Sequence, residues 1–457
     1  MRLGRYRLVS KRTMREALLA DPEIRRAMEE QCEAENLSET DARARVEDYI
    51  DEIVPYFNVL SYYKLGYTLA RMLIPLLYRA DANYVDRQTL GNIPRNHIVL
   101  YLMNHRSNAD YVVAAYILAR AVSISYAVGE WARVWPLEYV FKSFGAYFVR
   151  RGFRDPLYHT VLRRYVQIIT LNGVTQGIFL EGGLSRDGRL RPPKVGLLDY
   201  IARAVPELNP ERDIWLVPVA LNYDRVLEDR TLTSELAEGV PRSGRLRQLA
   251  TVSHYVLFNV WRFLTGSLRR YGRVQVTFGQ PLSLRDWLDR HRGVLDLPKD
   301  ERLPRLHALA TEVMDEIAAI MPVTPVPLVA AALLSFGETV VRRPDLLERI
   351  EAFRDVLVRR GAELIQPERS ADEILDRAWR MFTMRRLVVL HGEGYLVLPK
   401  QRPLLEYYAN SIKHLLPVPA LEAAMHPARE PDTALPRLAS WGDSGAGGRD
   451  SGHNHDS

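Results

Sequence analysis

The sequence predicts an α/β protein with a largely parallel central sheet flanked by helices, and with helical additions at its N- and C-terminal ends. Three observations predict it. From residue 97 onward, short apolar runs alternate with amphipathic stretches, as chained βαβ units do. Ahead of them, residues 11–50 are charged and helical in character. Beyond residue 322 the chain again reads mainly as helices.

In chain order, residues 1–85 form an N-terminal helical region, with helical stretches at 23–34 and 39–49. Residues 53–78 within it carry Tyr56, Phe57, Leu60, Tyr62 and Tyr63, broken by Lys64 and Arg71. Residues 252–271 carry Tyr255, Phe258, Trp261 and Phe263 ahead of Arg269 and Arg270. Aromatics and aliphatics edged by cations suit a helix lying in a membrane interface. The same pattern equally suits an amphipathic helix packed on its own domain.

Residues 86–322 form the α/β domain. Its strand candidates are 97–103, 123–128, 146–150, 176–180, 214–221 and 273–278. Its helix candidates are 109–121, 133–143, 157–172, 195–205, 247–270 and 301–321. Ligands of such sheets gather at the carboxyl ends of the strands. The stretch Pro322-Val323-Thr324-Pro325-Val326-Pro327 reads as a rigid linker. Residues 323–425 follow as a mainly helical region with a hairpin candidate at 387–390 and 395–398. Residues 426–457, polar and rich in Pro, Gly, Ser and Asp, read as a disordered tail.

A chain of 457 residues, 47% hydrophobic and 26% charged, has an ordinary globular composition and can bury a large core. Its net charge of +6 favours anionic partners such as phosphorylated substrates or acidic lipid. The dense basic runs of a nucleic-acid binder are missing from the sequence. Cys32 is the single cysteine, so no intramolecular disulfide can form and a cytosol-facing protein is expected. No signal peptide and no transmembrane helix are expected, since neither the start nor any run of 18 residues is apolar enough. No cluster of metal-ligating residues is read.

The chemistry-bearing residues fall just after strand candidates. The first block is Asn104-His105-Arg106-Ser107-Asn108-Ala109-Asp110. Here His105 occupies a strand-to-helix turn, and Asn108 is placed to cap the helix that follows. Asp110, in the first helical turn, can fold back onto the imidazole, fix its tautomer and raise its basicity. An imidazole so prepared suits removal of a proton from an alcohol, provided the alcohol can reach it. The spacing alone is weak: His291 and Asp296 repeat it in a charged, loop-like segment with no strand before it, as chance allows. For His105 by itself, a turn histidine beside a capping aspartate is an equal reading.

The second block, Gly145-Ala146-Tyr147-Phe148-Val149-Arg150-Arg151-Gly152, ends a short strand in two arginines. Guanidinium forks bind phosphate, although a solvated strand end explains the pair as well. In the third block Glu181 ends a strand, and Gly182 and Gly183 let a ligand approach the backbone closely. Ser185 and Arg186 add a donor and a cation; a glycine-rich turn is the plain alternative. This is no serine-hydrolase elbow, because Asp187 stands where that motif needs glycine. The fourth block, residues 215–224, holds Pro218 inside a strand, which implies an edge, a bulge or a special backbone path, and shaping rather than chemistry.

Together the four blocks resemble the glycerolipid acyltransferase superfamily, most closely the bacterial membrane-associated glycerol-3-phosphate acyltransferases. The resemblance is collinear from Asn104 to Tyr223. Phe148-Val149-Arg150-Arg151, and Glu181-Gly182-Gly183 in place of Glu-Gly-Thr, point to that branch. The stretch Tyr407-Tyr408-Ala409-Asn410-Ser411-Ile412-Lys413-His414 is similar to a feature of the same family. One departure is Leu184, where the family commonly carries an arginine.

The resemblance implies transfer of a fatty acyl group from acyl-CoA or acyl carrier protein to the sn-1 hydroxyl of glycerol 3-phosphate, giving lysophosphatidate as the first step of phospholipid biosynthesis. It implies His105 as general base and Asp110 as its orienting partner. Arg150, Arg151 and Arg186 would clamp the phosphate. Glu181, Gly182, Gly183 and Ser185 would complete the substrate site, with Gly145 and Pro218 shaping it. Backbone amides at the helix start would stabilise the oxyanion. It implies no metal and no cofactor beyond the acyl donor. The implied partners are glycerol 3-phosphate, acyl-CoA or acyl carrier protein, and a membrane surface; nucleic acid is not among them. The implied location is peripheral, on the cytoplasmic side of the cell membrane. Two alternatives stay open: dihydroxyacetone phosphate or lysophosphatidate as acceptor, and a non-catalytic membrane-peripheral interaction protein.

Overall fold

All six strand candidates form, and they share one sheet. The computed structural model describes residues 10–55, 71, 74–118, 125–129, 142, 145–150, 152–234 and 271–416. Arg151, the tail, most of residues 53–78 and nearly all of the helix candidates 133–143 and 247–270 lie outside them. The strands are β1 (Arg79–Tyr84), β2 (Ile98–Met103), β3 (Ser125–Gly129), β4 (Tyr147–Val149), β5 (Gln176–Phe179), β6 (Ile214–Tyr223), β7 (Arg273–Phe278) and β8 (Leu282–Ser283). Their order is β1-β7-β6-β2-β5-β3-β4, with β8 against β6. The pairs β6–β2, β2–β5, β5–β3 and β3–β4 are parallel, and β7 and β8 run antiparallel to β6. The sheet is thus largely parallel. Both β2 and β6 are apolar without alternation and buried on both faces, as strands at the centre of a covered sheet must be.

Pro218 lies inside β6, a central strand, so the edge explanation is set aside. It pairs in register with Leu102 on the β2 side. On the other side β7 pairs from Val219 onward and β8 pairs only with Trp215 and Leu216. Pro218 therefore faces the β7–β8 connection, where its carbonyl accepts from Gly279 N at 2.9 Å. A strand residue aims its N–H and C=O to one side, so the missing donor falls where no ladder bond is required.

Helices α1 (Lys11–Ala20), α2 (Pro22–Glu35) and α3 (Glu39–Ile53) begin at Ser10, Asp21 and Ser38, each accepting from amides of the first turn. The domain itself carries α4 (Arg87–Asn92), α5 (Asp110–Leu118), α6 (Pro156–Leu171), α7 (Gly196–Ala202), α8 (Asp229–Ser234), α9 (Leu284–Arg290) and α10 (Lys299–Ala319). Arg164 on α6 holds Asp21 at 2.8 Å, and Tyr49 on α3 donates to Asp155 at the start of α6 at 2.6 Å. The N-terminal helices are thereby pinned to one flank of the sheet domain.

Two expectations need correction. The stretch 1–85 is not helical throughout, since β1 lies within it and joins the sheet by parallel pairing with β7. Nor is 322–327 merely a linker: α11 (Pro325–Leu334) begins there and is buried almost throughout. Proline suits the first turn of a helix, where its missing N–H has no intrahelical partner to lose, so the same residues can end one segment or start another. Beyond it lie β9 (Val341–Arg342), α12 (Arg343–Arg359), α13 (Ala371–Arg385), β10 (Val388–His391), β11 (Gly394–Val397) and α14 (Arg402–Asn410). The hairpin candidate forms as β10 antiparallel to β11. Helix α11 packs against α13 and α14.

Candidate active site

β2 stops at Met103, and the backbone then turns sharply into α5. Asn104 extends the ladder with its side chain, donating to Leu221 O at 3.0 Å and accepting from Leu221 N at 2.7 Å. The end of β2 is thereby stitched to β6. Every backbone N–H in the turn that follows is taken. His105 N donates to Glu181 Oε1 at 2.9 Å, and Arg106 N and Ser107 N donate to Asp110 Oδ2 at 2.7 and 2.9 Å. Asn108 N donates to Glu228 Oε1 at 3.2 Å and Ala109 N to Ser107 Oγ at 3.0 Å. The oxygen serving the helix start is thus Ser107's rather than Asn108's. Of the amides after Asn108, to which sequence assigned the oxyanion, those of Ala109 and Asp110 already have acceptors, Ser107 Oγ and Ser107 O.

The imidazole is held in one orientation. His105 Nδ1 lies 2.9 Å from Asp110 Oδ2, and the ring stacks on Phe179, at the end of β5, with centroids 4.1 Å apart. Asp110 is fully buried and also accepts, through Oδ1, from the Tyr223 hydroxyl at the end of β6. Burial, with the Asp110 charge beside it, raises the Tyr223 phenol well above its ordinary pKa, so it stays a donor. A carboxylate receiving two amides and a phenol acts as an acceptor, so Nδ1 carries a hydrogen and, in the neutral ring, the lone pair falls on Nε2. That Nε2 is buried and has no hydrogen-bond partner among the described residues. His105 is only 1% exposed, so the condition set on the sequence reading, that an alcohol can reach the imidazole, is not met in this conformation.

Two further carboxyls flank the turn. Glu181 is 1% exposed and accepts from the amides of His105 and Arg191, the latter at 3.1 Å. Burial pushes it up to about 7 in spite of these bonds and of the nearby Arg106 charge. Glu228 accepts from Ser107 Oγ at 2.7 Å and is likewise pushed up to about 7, by desolvation first and with Asp110 adding to it. Glu181 therefore braces the backbone on either side of the site; both its oxygens are engaged by amides.

The remaining sequence candidates separate. Ser185 joins the centre through its backbone, donating to His105 O at 3.0 Å, while its Oγ donates to Arg189 O at 2.6 Å. Gly182 sits at φ +62°, and a Cβ there would lie 2.7 Å from Lys194 Cγ, so glycine lets the Lys194 stem cross the turn. Gly183 is buried in the same turn, and Arg186 is exposed on the loop beyond it. Gly145, at φ +82°, turns the chain into β4, its carbonyl receiving Ser125 Oγ at 2.6 Å. Arg150 does not present a free fork. It grips Glu52 of α3 through Nε and Nη2, and its guanidinium lies 4.5 Å from the centroid of Phe153 and 5.4 Å from that of Tyr158. In this structure it anchors α3 instead of offering itself to a phosphate. Among the described residues no group of three or more His, Cys, Asp or Glu is placed to hold a metal ion.

Tyr223, Glu228, Asn104 and Arg106 are the site residues that sequence reading passed over. Tyr223 and Glu228 stand 113 and 118 positions beyond Asp110, so local pattern carries no trace of them. The C-terminal region also reaches the site: the Arg106 guanidinium lies 5.0 Å from the centroid of the Tyr407 ring, and Asn410 Nδ2 donates to Asp187 O at 2.8 Å.

Comparison with known proteins agrees with this layout. Residues 85–222 match the family described as Acyltransferase, and residues 257–438 match the one described as glycerol-3-phosphate acyltransferase C-terminal region. A glycerol-3-phosphate acyltransferase of Aeromonas hydrophila is 30% identical over 419 residues, covering 89% of this chain and 50% of that protein. One of Actinobacillus succinogenes is 29% identical over 444 residues, covering 94% and 53%. The chain thus spans about half the length of the curated relatives it matches. Among solved structures, the 1-acyl-sn-glycerophosphate acyltransferase of Thermotoga maritima aligns over 55% of this chain and 76% of its own, at 15% identity and a TM-score of 0.31.

Proposed function

We propose that this chain, which carries the acyltransferase domain and the C-terminal region of bacterial glycerol-3-phosphate acyltransferases, moves a fatty acyl group from an acyl thioester to the sn-1 hydroxyl of glycerol 3-phosphate. The donor is acyl-CoA or acyl carrier protein, and the product is lysophosphatidate. One observation carries the reading: a histidine whose Nδ1 is held by a buried carboxylate and whose Nε2 has no hydrogen-bond partner among the described residues. Such a nitrogen is a general base awaiting an alcohol.

In the proposed step Nε2 takes the hydroxyl proton as the oxygen attacks the thioester carbonyl carbon. Asp110, with its three other donors, stabilises the imidazolium that forms. When the C–S bond breaks, the imidazolium returns its proton to the departing thiolate. No enzyme nucleophile takes part. Arg186 and Arg151 remain proposed phosphate contacts, and Gly182, Gly183 and Ser185 form the turn that leads to Arg186. Because His105 is covered, substrate entry and movement of that cover belong to one event.

A net charge of +6 and a lipid product favour work at the cytoplasmic face of a membrane, as a peripheral protein. Among the described residues no helix is long and apolar enough to cross a bilayer. The deciding experiment offers glycerol 3-phosphate, dihydroxyacetone phosphate and lysophosphatidate together, with palmitoyl-CoA or palmitoyl carrier protein. Glycerol 3-phosphate should be acylated preferentially. Preference for another acceptor changes the substrate, and acylation of none leaves an interaction protein.

A further inference from the structure

Arg106 is 1% exposed, yet its Nε and Nη2 have no hydrogen-bond partner among the described residues. Those two nitrogens share one edge of the guanidinium, and their parallel N–H bonds are the pair that clasps a carboxylate or a phosphate. Arg150 shows the same edge in use, holding Glu52 through Nε and Nη2. On Arg106 that edge is unspent.

The rest of the side chain is fixed. Nη1 donates to the Gly188 carbonyl, and the face of the cation lies 5.0 Å from the Tyr407 ring centroid. Gly188 itself is locked against α14: it sits at φ +86°, and a Cβ there would fall 1.8 Å from Tyr407 O. The Tyr407 hydroxyl donates to Arg106 O at 3.4 Å. Glu181 is near enough to feel the charge, but its oxygens serve the amides of His105 and Arg191. A dehydrated cation with an unspent bidentate edge calls for an oxyanion from outside the chain. It follows His105 directly in the turn, where the base acts.

We infer that Arg106 binds the phosphate of the acceptor, two phosphate oxygens accepting from its Nε and Nη2 beside His105. The identity of that phosphate as glycerol 3-phosphate rests on the acyl-transfer reading; the anion site does not. The fork thus lies between the third block and the C-terminal region, which gives α14 a part in shaping the acceptor site.

The test compares the full-length wild type with Arg106→Lys, which keeps the charge and loses the fork. Calorimetric titrations use glycerol 3-phosphate, inorganic phosphate and glycerol, and steady-state assays vary each substrate. Loss of charged hydrogen bonds should weaken glycerol 3-phosphate binding about 10- to 100-fold, with KM for acyl-CoA changed by less than about twofold. Equal affinity in both proteins, or no anion binding by the wild type, overturns the inference. Anion binding that depends on Arg106 without any acyl transfer upholds it while removing the catalytic reading. Acyl transfer with an unaltered KM for glycerol 3-phosphate in Arg106→Lys does the reverse. Should the variant fail to fold by circular dichroism, a crystal structure of the wild type with glycerol 3-phosphate decides. Phosphate oxygens on Nε and Nη2 support the assignment, and a phosphate bound elsewhere refutes it.

Discussion

Two stretches of this chain place an aspartate five residues after a histidine, and they fold into unlike environments. His105 follows a buried strand, is itself buried, and meets Asp110 at 2.9 Å. His291 closes α9 at the surface, its Nδ1 taken by Trp287 O at 2.8 Å and its ring stacked on Trp287 with centroids 4.0 Å apart. Asp296 lies exposed in a short turn beyond it. The spacing is the same; the surroundings differ. Around His105, contacts from Glu181, Tyr223 and Glu228 converge on one turn, so two sheet-domain segments far from it in sequence fix the geometry. Around His291 the contacts are local and belong to a helix end.

That contrast can be broken most severely at the aspartates. Asp110→Asn should lower kcat about 10³- to 10⁴-fold, since an amide cannot stabilise the imidazolium or hold its tautomer. Asp296→Asn should leave kcat within about twofold of wild type. Acyl-transfer rates of the two purified variants check the pair.

Tyr223→Phe sharpens the comparison by removing one distant contact and nothing else. Loss of a single hydrogen bond to Asp110, about 1 kcal/mol, should reduce kcat roughly fivefold while KM values hold. A change confined to KM would show that Tyr223 serves substrate binding instead.

The pH dependence separates the two regions through stability. Glu181 and Glu228, both beside the His105 turn, are pushed up to about 7 from an ordinary value of 4.5. Between those values the native state keeps protons that the unfolded chain has released. Their stabilisation is therefore whole below about 4.5 and fades as pH rises through about 7. Urea midpoints should fall across that window, and Glu181→Gln should make the fall shallower, by at most about 1.4 kcal/mol per pH unit. Parallel curves for wild type and variant would show that Glu181 does not titrate there.

The smallest effect on chemistry is expected where Arg150 meets Glu52. Arg150→Ala should cost about 1–3 kcal/mol of stability, because the pair is only partly buried. It should leave KM for glycerol 3-phosphate within about twofold. A large rise in that KM would return Arg150 to the phosphate clamp.

The strands that sequence made legible were those with unbroken apolar runs, such as Ile98–Met103, which has no alternative to burial. β1 escaped because Arg79-Ala80-Asp81-Ala82-Asn83-Tyr84 sits partly exposed at the sheet edge, with no β-branched residue and two alanines and a tyrosine as its apolar side chains. The start of α11 escaped because proline marks both helix starts and linkers. In the site, His105 and Asp110 were legible because their contact is local. Tyr223, Glu228 and Asn104 were not, since only the strand order β6-β2-β5 brings them together. Arg150 was legible as a strand-end cation but its protein partner was not, because Glu52 reaches it from α3, 98 residues away.

The most direct test of the account is acyl transfer from palmitoyl-CoA to labelled glycerol 3-phosphate by His105→Ala and His291→Ala, assayed side by side as folded proteins. Labelled lysophosphatidate should form at near wild-type rate with His291→Ala and be about 10³-fold slower or absent with His105→Ala. Comparable rates from the two variants would contradict the claim that the buried imidazole at the end of β2 is the base.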